Sequence, residues 1–331
     1  MNLRALQRNI PFLATLIVCV LLYLAAAVAF HDRGFLSLRV FVNFFADNSF
    51  LGIAALGLTF VILSGGIDLS VGAMIGLVSV VLALALERWK LHMGVAAPLV
   101  LVLGTAFGSA MGLLVQKFAL PPFLVTLGGM FFARGLAYLL SLESLPITKF
   151  IEPINAALSV PLGRFDLPAT AIIFLVVLAI VFVLAHFTRF GRNVYALGGN
   201  EQSATLMGLP VARTKVAVYS LSGFCSALAG IVYCLYTQSG NPNAAGGLEL
   251  DAIAAVVIGG TLLSGGVGYV AGTMIGVLIF GIIQTAIVFQ GTLSSWWTKI
   301  VIGLLLLAFI LLQKLVQAKK FKTGKTFQTA K

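Results

Sequence analysis

Long apolar runs alternate with short polar stretches along most of the chain. Ten runs stand out, at residues 11–30, 49–64, 69–86, 95–115, 122–141, 167–187, 214–236, 251–263, 267–289 and 297–313. Because a helix needs about 20 apolar residues to cross a bilayer, the pattern predicts about ten membrane-spanning helices. The second and eighth runs are short or broken by glycine. Helices of that kind must be buried against protein rather than lipid.

Composition narrows the class of protein. Hydrophobic residues occupy 60% of the 331 positions and charged residues only 9%, whereas soluble domains carry about 25% charged residues. We therefore predict an all-α polytopic membrane protein, folded as one transmembrane domain over residues 1–331. The net charge of +11 does not indicate nucleic-acid binding, because the aromatic residues lie within apolar runs rather than among the basic clusters.

The basic residues indicate the orientation of the chain. If the N-terminus lies inside, ten spans place the C-terminus inside as well. Thirteen basic residues then lie inside, namely Arg4, Arg8, Lys117, Arg189, Arg192, Arg213, Lys215, Lys314, Lys319, Lys320, Lys322, Lys325 and Lys331. Six lie outside, namely Arg33, Arg39, Arg88, Lys90, Lys149 and Arg164. Since Lys and Arg favour cytoplasmic loops and anionic lipid, we predict cytoplasmic termini, a cytoplasmic loop at 188–215 and a basic cytoplasmic tail at 314–331.

The first apolar run has two interpretations. It resembles a signal peptide in its small residues at 25–27, which would suit cleavage. It also resembles an uncleaved first span, because its 20 residues exceed the usual apolar region of a signal peptide. The further spans that follow favour the uncleaved helix.

One segment repeats itself 200 residues further along the chain. VILSGGIDLSVGAMIG at 61–76 and TLLSGGVGYVAGTMIG at 261–276 share eight of 16 positions without a gap. Both copies end one apolar run, turn through Ser-Gly-Gly and begin another. Glycine-rich apolar sequence can match itself by chance, but the ungapped identities favour a duplication, as in transporters that hold substrate between broken helices. The sequence leaves open whether the halves are parallel or inverted.

Asp68 lies in the first Ser-Gly-Gly turn, between two apolar runs. A carboxylate at the bilayer centre costs about 2.5–3.5 kcal/mol on insertion scales, so it needs a structural or functional reason. One interpretation is a proton or substrate site. The other is a helix cap that accepts backbone N–H groups, which the following residues Leu69 to Gly72 favour.

Arg134 is the most deeply placed basic residue. It is predicted to bind a hydroxyl-rich ligand, to pair with Glu249 or Asp251, or to extend its long side chain to the interface. Glu249 and Asp251 also suit the first turn of a helix, where acids complement the helix dipole. Gln238, in the loop before them, has the polar amide that hydroxyl-rich ligands require, although loops are polar in general.

The loop 188–215 contains a predicted short helix. Asn200 fits its N-cap, and Gly208 with Pro210 fits its end. This helix would expose the apolar side chains of Ala204, Leu206, Met207 and Leu209. An exposed apolar patch usually indicates a partner protein.

The chain shows no pattern for catalysis or metal binding. Cys19, Cys225 and Cys234 form no CxxC pair, and the histidines stand apart. The residues Gly324-Lys325-Thr326 match the end of a phosphate-binding loop, but its first glycine is replaced by Lys319. We therefore expect no catalytic residue, no metal, no cofactor and no ATPase activity of the chain's own.

Three segments together resemble the permease subunits of bacterial ABC importers for ribose, xylose, galactosides and related sugars. They are SGGIDLSVG at 64–72, the loop 191–208, and ELDAIAAVVIGG at 249–260 running into the second Ser-Gly-Gly. The resemblance covers nearly the whole chain. Within the family, the chain is most similar to galactofuranose importer permeases, on FVIL at 60–63, GGMFFARG at 128–135 and GTLSSWWTK at 291–299. The loop keeps only Glu201, Ala204 and Gly208 of the EAA pattern found in other importer classes.

The resemblance implies an assembly in the bacterial inner membrane that imports a monosaccharide, galactofuranose. Its expected partners are a cytoplasmic ATP-binding subunit, a second permease subunit (the same chain or a related one) and a periplasmic sugar-binding protein. Coupling to the ATP-binding subunit is expected at Asn200, Glu201, Ala204, Leu206, Met207 and Gly208. The translocation path or gate is expected at Ser64, Gly65, Gly66, Asp68, Arg134, Gln238, Ser264, Gly265 and Gly266.

Two other functions explain fewer of these features than an ABC importer permease does. A proton-coupled secondary sugar transporter would use Asp68 or Asp251 as its proton carrier and would need no ATPase. An integral membrane enzyme would need His, Asp, Glu or Ser residues clustered near one face. The scattered histidines and sparse acids do not provide such a cluster.

Overall fold

The computed structural model describes residues 3–147, 151–161, 166–294 and 296–328, and most of these residues are helical. In chain order the helices are α1 (Leu3–Ala29), α2 (Leu38–Asp47), α3 (Ser49–Leu63), α4 (Val71–Ala83), α5 (Met93–Lys117), α6 (Pro122–Leu140), α7 (Ile151–Leu158), α8 (Ala169–Phe187), α9 (Arg189–Gly199), α10 (Glu201–Leu206), α11 (Val211–Thr237), α12 (Leu248–Ile258), α13 (Val270–Gln290) and α14 (Trp296–Gln328). A 3₁₀ turn, His31–Arg33, follows α1, and a π-helical turn, Leu84–Arg88, extends α4.

Each predicted apolar run forms a helix. Within the described ranges, eight helices are long and apolar enough to cross a membrane. The two remaining runs form α3 and α12, of 15 and 11 residues. The axis bends by 54° between α2 and α3, which together are long enough for one span. The predicted fold class, with its short and broken helices, is confirmed, and α14 continues as a helix into the basic segment from 314.

The short helix α3 lies at the centre of the bundle. All of its residues except Phe50 are buried, and it packs against α8, α11, α12 and α13. A 15-residue helix is only about 22 Å long, which is less than the roughly 30 Å of the hydrocarbon layer. α3 is therefore too short to cross the hydrocarbon layer by itself, and neighbouring helices surround it.

The duplicated halves run in the same direction. α12 and α13 are consecutive and packed side by side, so they are antiparallel across the second Ser-Gly-Gly turn. α3 is also antiparallel to α13, since Thr59 hydrogen-bonds Thr273 while Asn48 lies against Gly281. α3 and α12 are therefore parallel. Both lead into their Ser-Gly-Gly turns at the same end of the bundle, which we call the turn end.

The opposite end of the bundle carries two short pairs of β-strands. Strand β1 (Leu145–Pro146) pairs with β4 (Ser239–Gly240), and β2 (Val160–Pro161) pairs with β3 (Asp166–Leu167), both antiparallel. Because β1 follows α6 and β4 follows α11, the first pair joins the far ends of these two helices. This pairing fixes the loop that leads from α11 into α12.

Glycines let α5 and α11 approach to backbone contact. A Cβ atom on Gly223 would lie 2.2 Å from the carbonyl oxygen of Gly104, and one on Gly108 would lie 2.2 Å from that of Tyr219. Small residues are typical of helix interfaces in membranes, where close packing replaces the hydrophobic effect as the driving force. The long contact between α5 and α11 therefore depends on these positions.

Replacing Gly223 by Ala is expected to lower the thermal unfolding temperature of the detergent-solubilised protein by several degrees. The added methyl group would overlap the Gly104 backbone, and overpacking typically costs about 1–3 kcal/mol. The control is Gly135→Ala in α6, where a Cβ atom meets open space. Equal unfolding temperatures for the two variants would contradict the close approach of α5 and α11.

Candidate translocation and coupling site

The two Ser-Gly-Gly turns cross in direct backbone contact. The Gly266 N–H donates to the Leu63 carbonyl oxygen at 2.8 Å, and a Cβ atom on Gly265 would lie 2.8 Å from the Gly65 nitrogen. Gly65 and Gly265 have φ angles of 83° and 82°, in the left-handed region that glycine adopts without steric cost. The structure therefore brings together the two turns that the sequence repeat identified.

The last turn of α9 fits against this crossing. A Cβ atom on Gly198 would lie 1.8 Å from the Leu63 carbonyl oxygen and 2.6 Å from the Gly266 nitrogen. The adjacent Gly199 has open space at the same position. Gly198 thus touches both turns at once. It lies against the Leu63 carbonyl oxygen and the Gly266 nitrogen, which are hydrogen-bonded to each other.

Tyr195 connects α9 to the second turn by a hydrogen bond. Its hydroxyl donates to the Gly268 carbonyl oxygen at 2.9 Å. Burial, and then the neighbouring Tyr269, raise the pKa of Tyr195 to about 12. The hydroxyl consequently keeps its proton at neutral pH, so this bond does not depend on pH in the physiological range.

The predicted short helix is α10, which follows α9 directly. The Asn200 side chain accepts a hydrogen bond from the Ser203 N–H at 2.7 Å, so it forms the predicted N-cap. Gly208 ends the helix with a φ of 75°. Lys215, at the start of α11, donates to Glu201 at 2.7 Å. The region 188–215 is therefore two helices and the start of a third rather than an extended loop.

The apolar side chains of α10 divide between two faces. Leu206 is 89% exposed and Met207 67% exposed, as the sequence predicts. The expectation that Ala204 is exposed is wrong: it is 1% exposed, because it lies on the side of α10 that packs on the protein. Leu209, also predicted to be exposed, is half-buried, so the exposed patch consists of Leu206 and Met207.

The chain between the first turn and α4 is not helical, and Asp68 is the buried charged residue within it. Residues 66–70 form no regular secondary structure, and Asp68 is 1% exposed. Its Oδ1 accepts from the Ser70 N–H at 2.9 Å and from the Ser70 hydroxyl at 2.6 Å. Its Oδ2 accepts from the Ser222 hydroxyl at 2.7 Å. The N-cap residue of α4 is Ser70 rather than Asp68. Asp68 bonds the N–H of Ser70 and not an N–H group within the first turn of α4, so the interpretation of Asp68 as the helix cap is not confirmed.

One face of α11 leads from α10 to Asp68. Lys215 bonds Glu201 of α10, and Ser222 bonds Asp68 two turns further along. Tyr219 lies between them, where a Cβ atom on Gly66 would be 2.4 Å from its hydroxyl oxygen. These three α11 side chains connect the exposed helix to the unwound segment.

A cavity lies beside the first turn. Its volume is about 430 Å³, and its lining includes Ser64, Gly66, Glu201, Lys215 and Tyr219. The Tyr219 hydroxyl is buried and has no hydrogen-bond partner among the described residues. A movement of α10 would change the walls of this cavity, because α10 and the turn both line it.

Arg134 is held by the backbone of the α11–α12 loop. Its Nη1 donates to the carbonyl oxygens of Pro242 at 2.6 Å and Ala244 at 2.7 Å. Glu249 interacts with it electrostatically, whereas Asp251 forms an ion pair with Lys299. Of the two predicted acidic partners, Glu249 therefore lies near Arg134 and Asp251 is paired elsewhere.

Gln238 lies at the far end of α11, away from the turns. It ends the helix with a φ of 54°, and its carbonyl oxygen accepts the Ile147 N–H at 2.8 Å. The predicted path residues thus fall into two places. The two Ser-Gly-Gly turns and Asp68 lie near α9 and α11, whereas Arg134 and Gln238 lie at the α11–α12 loop, towards the opposite end of the bundle.

The sequence did not single out Gly198, Tyr219 or Ser222. Gly198-Gly199 directly precedes the predicted N-cap Asn200. This pair of glycines was the one sequence feature that could have indicated close packing there. Tyr219 and Ser222 lie in an apolar run, and their spacing on one helix face gives no sign of the distant partner Asp68.

Irregular backbone inside an apolar bundle, satisfied by two crossing turns, is an architecture found in membrane transport proteins. Residues 40–310 match the family described as the permease component of the branched-chain amino acid transport system, and the chain belongs to this family.

Several similar proteins are named as permeases. The inner membrane ABC transporter permease protein YjfF of Escherichia coli (strain K12) is 53% identical over 93% of both chains. The fructose import permease protein FruG of Bifidobacterium longum is 40% identical over 94% of this chain and 93% of its own. The ribose import permease protein RbsC of Bacillus subtilis is 39% identical over 93% of both chains. No solved structure matches this chain.

Gly198→Ala is expected to destabilise the junction between α9 and the turns, because its methyl group would overlap the Leu63 carbonyl. Gly199→Ala is the matched control, since it makes the same change at the next residue in open space. Limited proteolysis and thermal unfolding in detergent should show faster cleavage and a lower unfolding temperature for Gly198→Ala alone. Indistinguishable variants would contradict the junction.

Ser222→Ala is expected to destabilise the protein by about 1.5–3 kcal/mol, because it removes a hydrogen bond to a buried charged group. Ser226→Ala is the control: Ser226 is equally buried, but its hydroxyl donates within α11, to the Ser222 carbonyl. Unfolding curves of both variants test the difference. A larger loss for Ser226→Ala would show that the bond to Asp68 contributes little.

Proposed function

We propose that this chain is the membrane subunit of an ATP-driven importer that moves a monosaccharide, galactofuranose, across the bacterial inner membrane. The observation that carries this proposal is the contact of Gly198 with both Ser-Gly-Gly turns, directly before an exposed apolar helix. An external protein that moves α10 would thereby move both broken helices. The names of the similar permeases support sugar import by an ABC system.

The partner at α10 would be a cytoplasmic ATP-binding subunit. Leu206 and Met207 form the exposed apolar patch, and burying one such side chain stabilises a complex by about 1.5–3 kcal/mol. Asn200 and Gly208 hold the two ends of the helix, and Glu201 anchors it to α11. Of the residues expected to couple, Ala204 would act by fixing α10 to the protein rather than by touching the partner.

The proposed topology places the turn end in the cytoplasm, together with both termini. ATP binding would close two ATP-binding subunits and displace α10. The displacement would pass through Gly198 to the turns and through the α11 face to Asp68. The sugar, delivered by a periplasmic binding protein, would then pass between this chain and a second permease subunit.

The permease would do no covalent chemistry in this process. A conducting path must release its ligand, so its polar contacts are expected to be weak. Ser64, Ser264 and the glycines beside them present backbone and hydroxyl groups of this kind. Arg134 and Gln238 would shape the path from the opposite half, where Arg134 already holds loop carbonyls.

Galactofuranose is proposed as the sugar because of the segments at 60–63, 128–135 and 291–299. Uptake into proteoliposomes that contain the complete complex and the binding protein should be greatest for labelled galactofuranose. A large excess of ribose or fructose is expected to leave it unchanged. Preferential uptake of ribose or fructose would contradict this sugar while leaving ATP-driven import intact.

Leu206→Asp is expected to weaken association with the ATP-binding subunit by about tenfold or more, since the loss of one buried apolar side chain corresponds to about 1.5–3 kcal/mol. ATP-driven uptake should fall with it. The matched control is Leu142→Asp, which is 81% exposed in the wild type and lies towards the opposite end; it should retain association.

Two results would contradict the proposal. Undiminished association and uptake in Leu206→Asp would show that α10 is not the coupling surface. Uptake driven by a proton gradient, in liposomes that lack the ATP-binding subunit, would instead indicate a proton-coupled transporter.

A further inference from the structure

A second polar cavity lies at the turn end, on the other side of the second Ser-Gly-Gly turn. Its volume is about 300 Å³, and α8, α9 and the segment before α13 form its walls. The lining includes His186, Arg192, Tyr195 and the backbone of residues 266–269. None of the residues expected to bind the ATP-binding subunit lines it, and it has no lining residue in common with the cavity beside the first turn.

Several hydrogen-bond donors of this cavity lack acceptors. No carboxylate forms an ion pair with Arg192 among the described residues, and no acidic side chain lines the cavity. The backbone N–H groups of Val267 and Gly268 donate to no acceptor in the described part of the chain. Consecutive free N–H groups beside a guanidinium favour an anion with several oxygens.

His186 adds a fixed ring to the same wall. It stacks on Phe182, with the ring centroids 4.6 Å apart, and meets Tyr195 edge-on. Its Nδ1 is buried without a hydrogen-bond partner among the described residues. The aromatic neighbours hold the imidazole in place, so its position at the cavity does not depend on a bound ligand.

The position of the cavity selects the kind of anion. His186 lies in the last turn of the span α8, and Arg192 lies in the first turn of α9 just beyond it. In the proposed topology, this is the level of the cytoplasmic phospholipid head groups. Basic pockets between helices on that side of a membrane bind anionic head groups.

We propose that this cavity binds the phosphate group of an anionic phospholipid, with Arg192 as its main charged contact. The assignment rests on the proposed topology but not on the identity of the sugar. A phosphate diester offers oxygens to the guanidinium and the free N–H groups together. A bound lipid would also touch the segment 266–269, next to the crossing of the turns, and would stabilise that segment.

The experiment is a lipid titration of the full-length chain, purified in detergent and stripped of lipid, followed by native mass spectrometry. The wild type should bind cardiolipin at least tenfold more tightly than phosphatidylcholine with matched acyl chains. Arg192→Gln should weaken cardiolipin binding about fivefold, which corresponds to about 1 kcal/mol for one basic residue at an anionic surface. Arg192→Lys should keep most of the binding because it keeps the charge.

The control is Arg213→Gln, the same change at an exposed arginine that lies in the first turn of α11 and outside this cavity; it should bind as the wild type does. Equal binding by Arg192→Gln and the wild type, or equal losses in both glutamine variants, would overturn the proposal. A second arm adds inorganic phosphate: if phosphate displaces cardiolipin at equal concentration, the ligand is a soluble anion and the lipid assignment fails.

An independent measurement separates failure of this proposal from failure of the proposed topology. Leu206→Cys places a thiol on α10, and a membrane-impermeant reagent should label it in inverted vesicles but not in intact cells. Labelling in intact cells would contradict the topology, whereas the detergent titration reports the cavity directly.

Discussion

The contact between the two Ser-Gly-Gly turns is the constraint on which the rest of the structure depends. Inside a lipid-embedded bundle, each unpaired backbone group costs several kcal/mol, so non-helical backbone persists only where protein satisfies it. The Gly266 N–H reaches the Leu63 carbonyl at the end of α3, and this bond requires main chains to touch without side chains between them. Glycine at 265 and 266 follows from that requirement, because a Cβ atom at either position would meet the backbone of the first turn or of α9.

The unwound segment after the first turn creates a second requirement. Its buried carboxylate, Asp68, needs donors because an unpaired buried charge is strongly unfavourable. Ser70 supplies two hydrogen bonds locally and Ser222 a third from α11. α11 is also the helix that pairs with α10 through Lys215. Satisfying one buried charge therefore ties the centre of the bundle to its exposed short helix.

Much of the fold could be predicted because its determinants are local. Apolar runs located every span, the duplicated residues located both turns, and Asn200 located the start of α10. Contacts between distant segments could not be predicted in this way, because no local sequence pattern specifies them. Gly198 matters because its Cα lies against Leu63 and Gly266, and Ala204 is buried because of the way α10 packs, which its own sequence does not specify. Arg134 could be recognised as important, but its bonds to loop carbonyls depend on the path of residues 238–247.

Backbone contacts explain how a small movement of α10 could reach the centre of a rigid bundle. A side-chain contact can absorb a displacement by changing rotamer, whereas the glycine junction at Gly198 has no side chain that could do so. A shift of α9 must therefore separate the turns from one another or carry both with it. The Tyr195 bond to Gly268 favours the second outcome, because it ties α9 to the second turn at another point. The parallel arrangement of α3 and α12 then means that both broken helices would be displaced at the same end of the bundle.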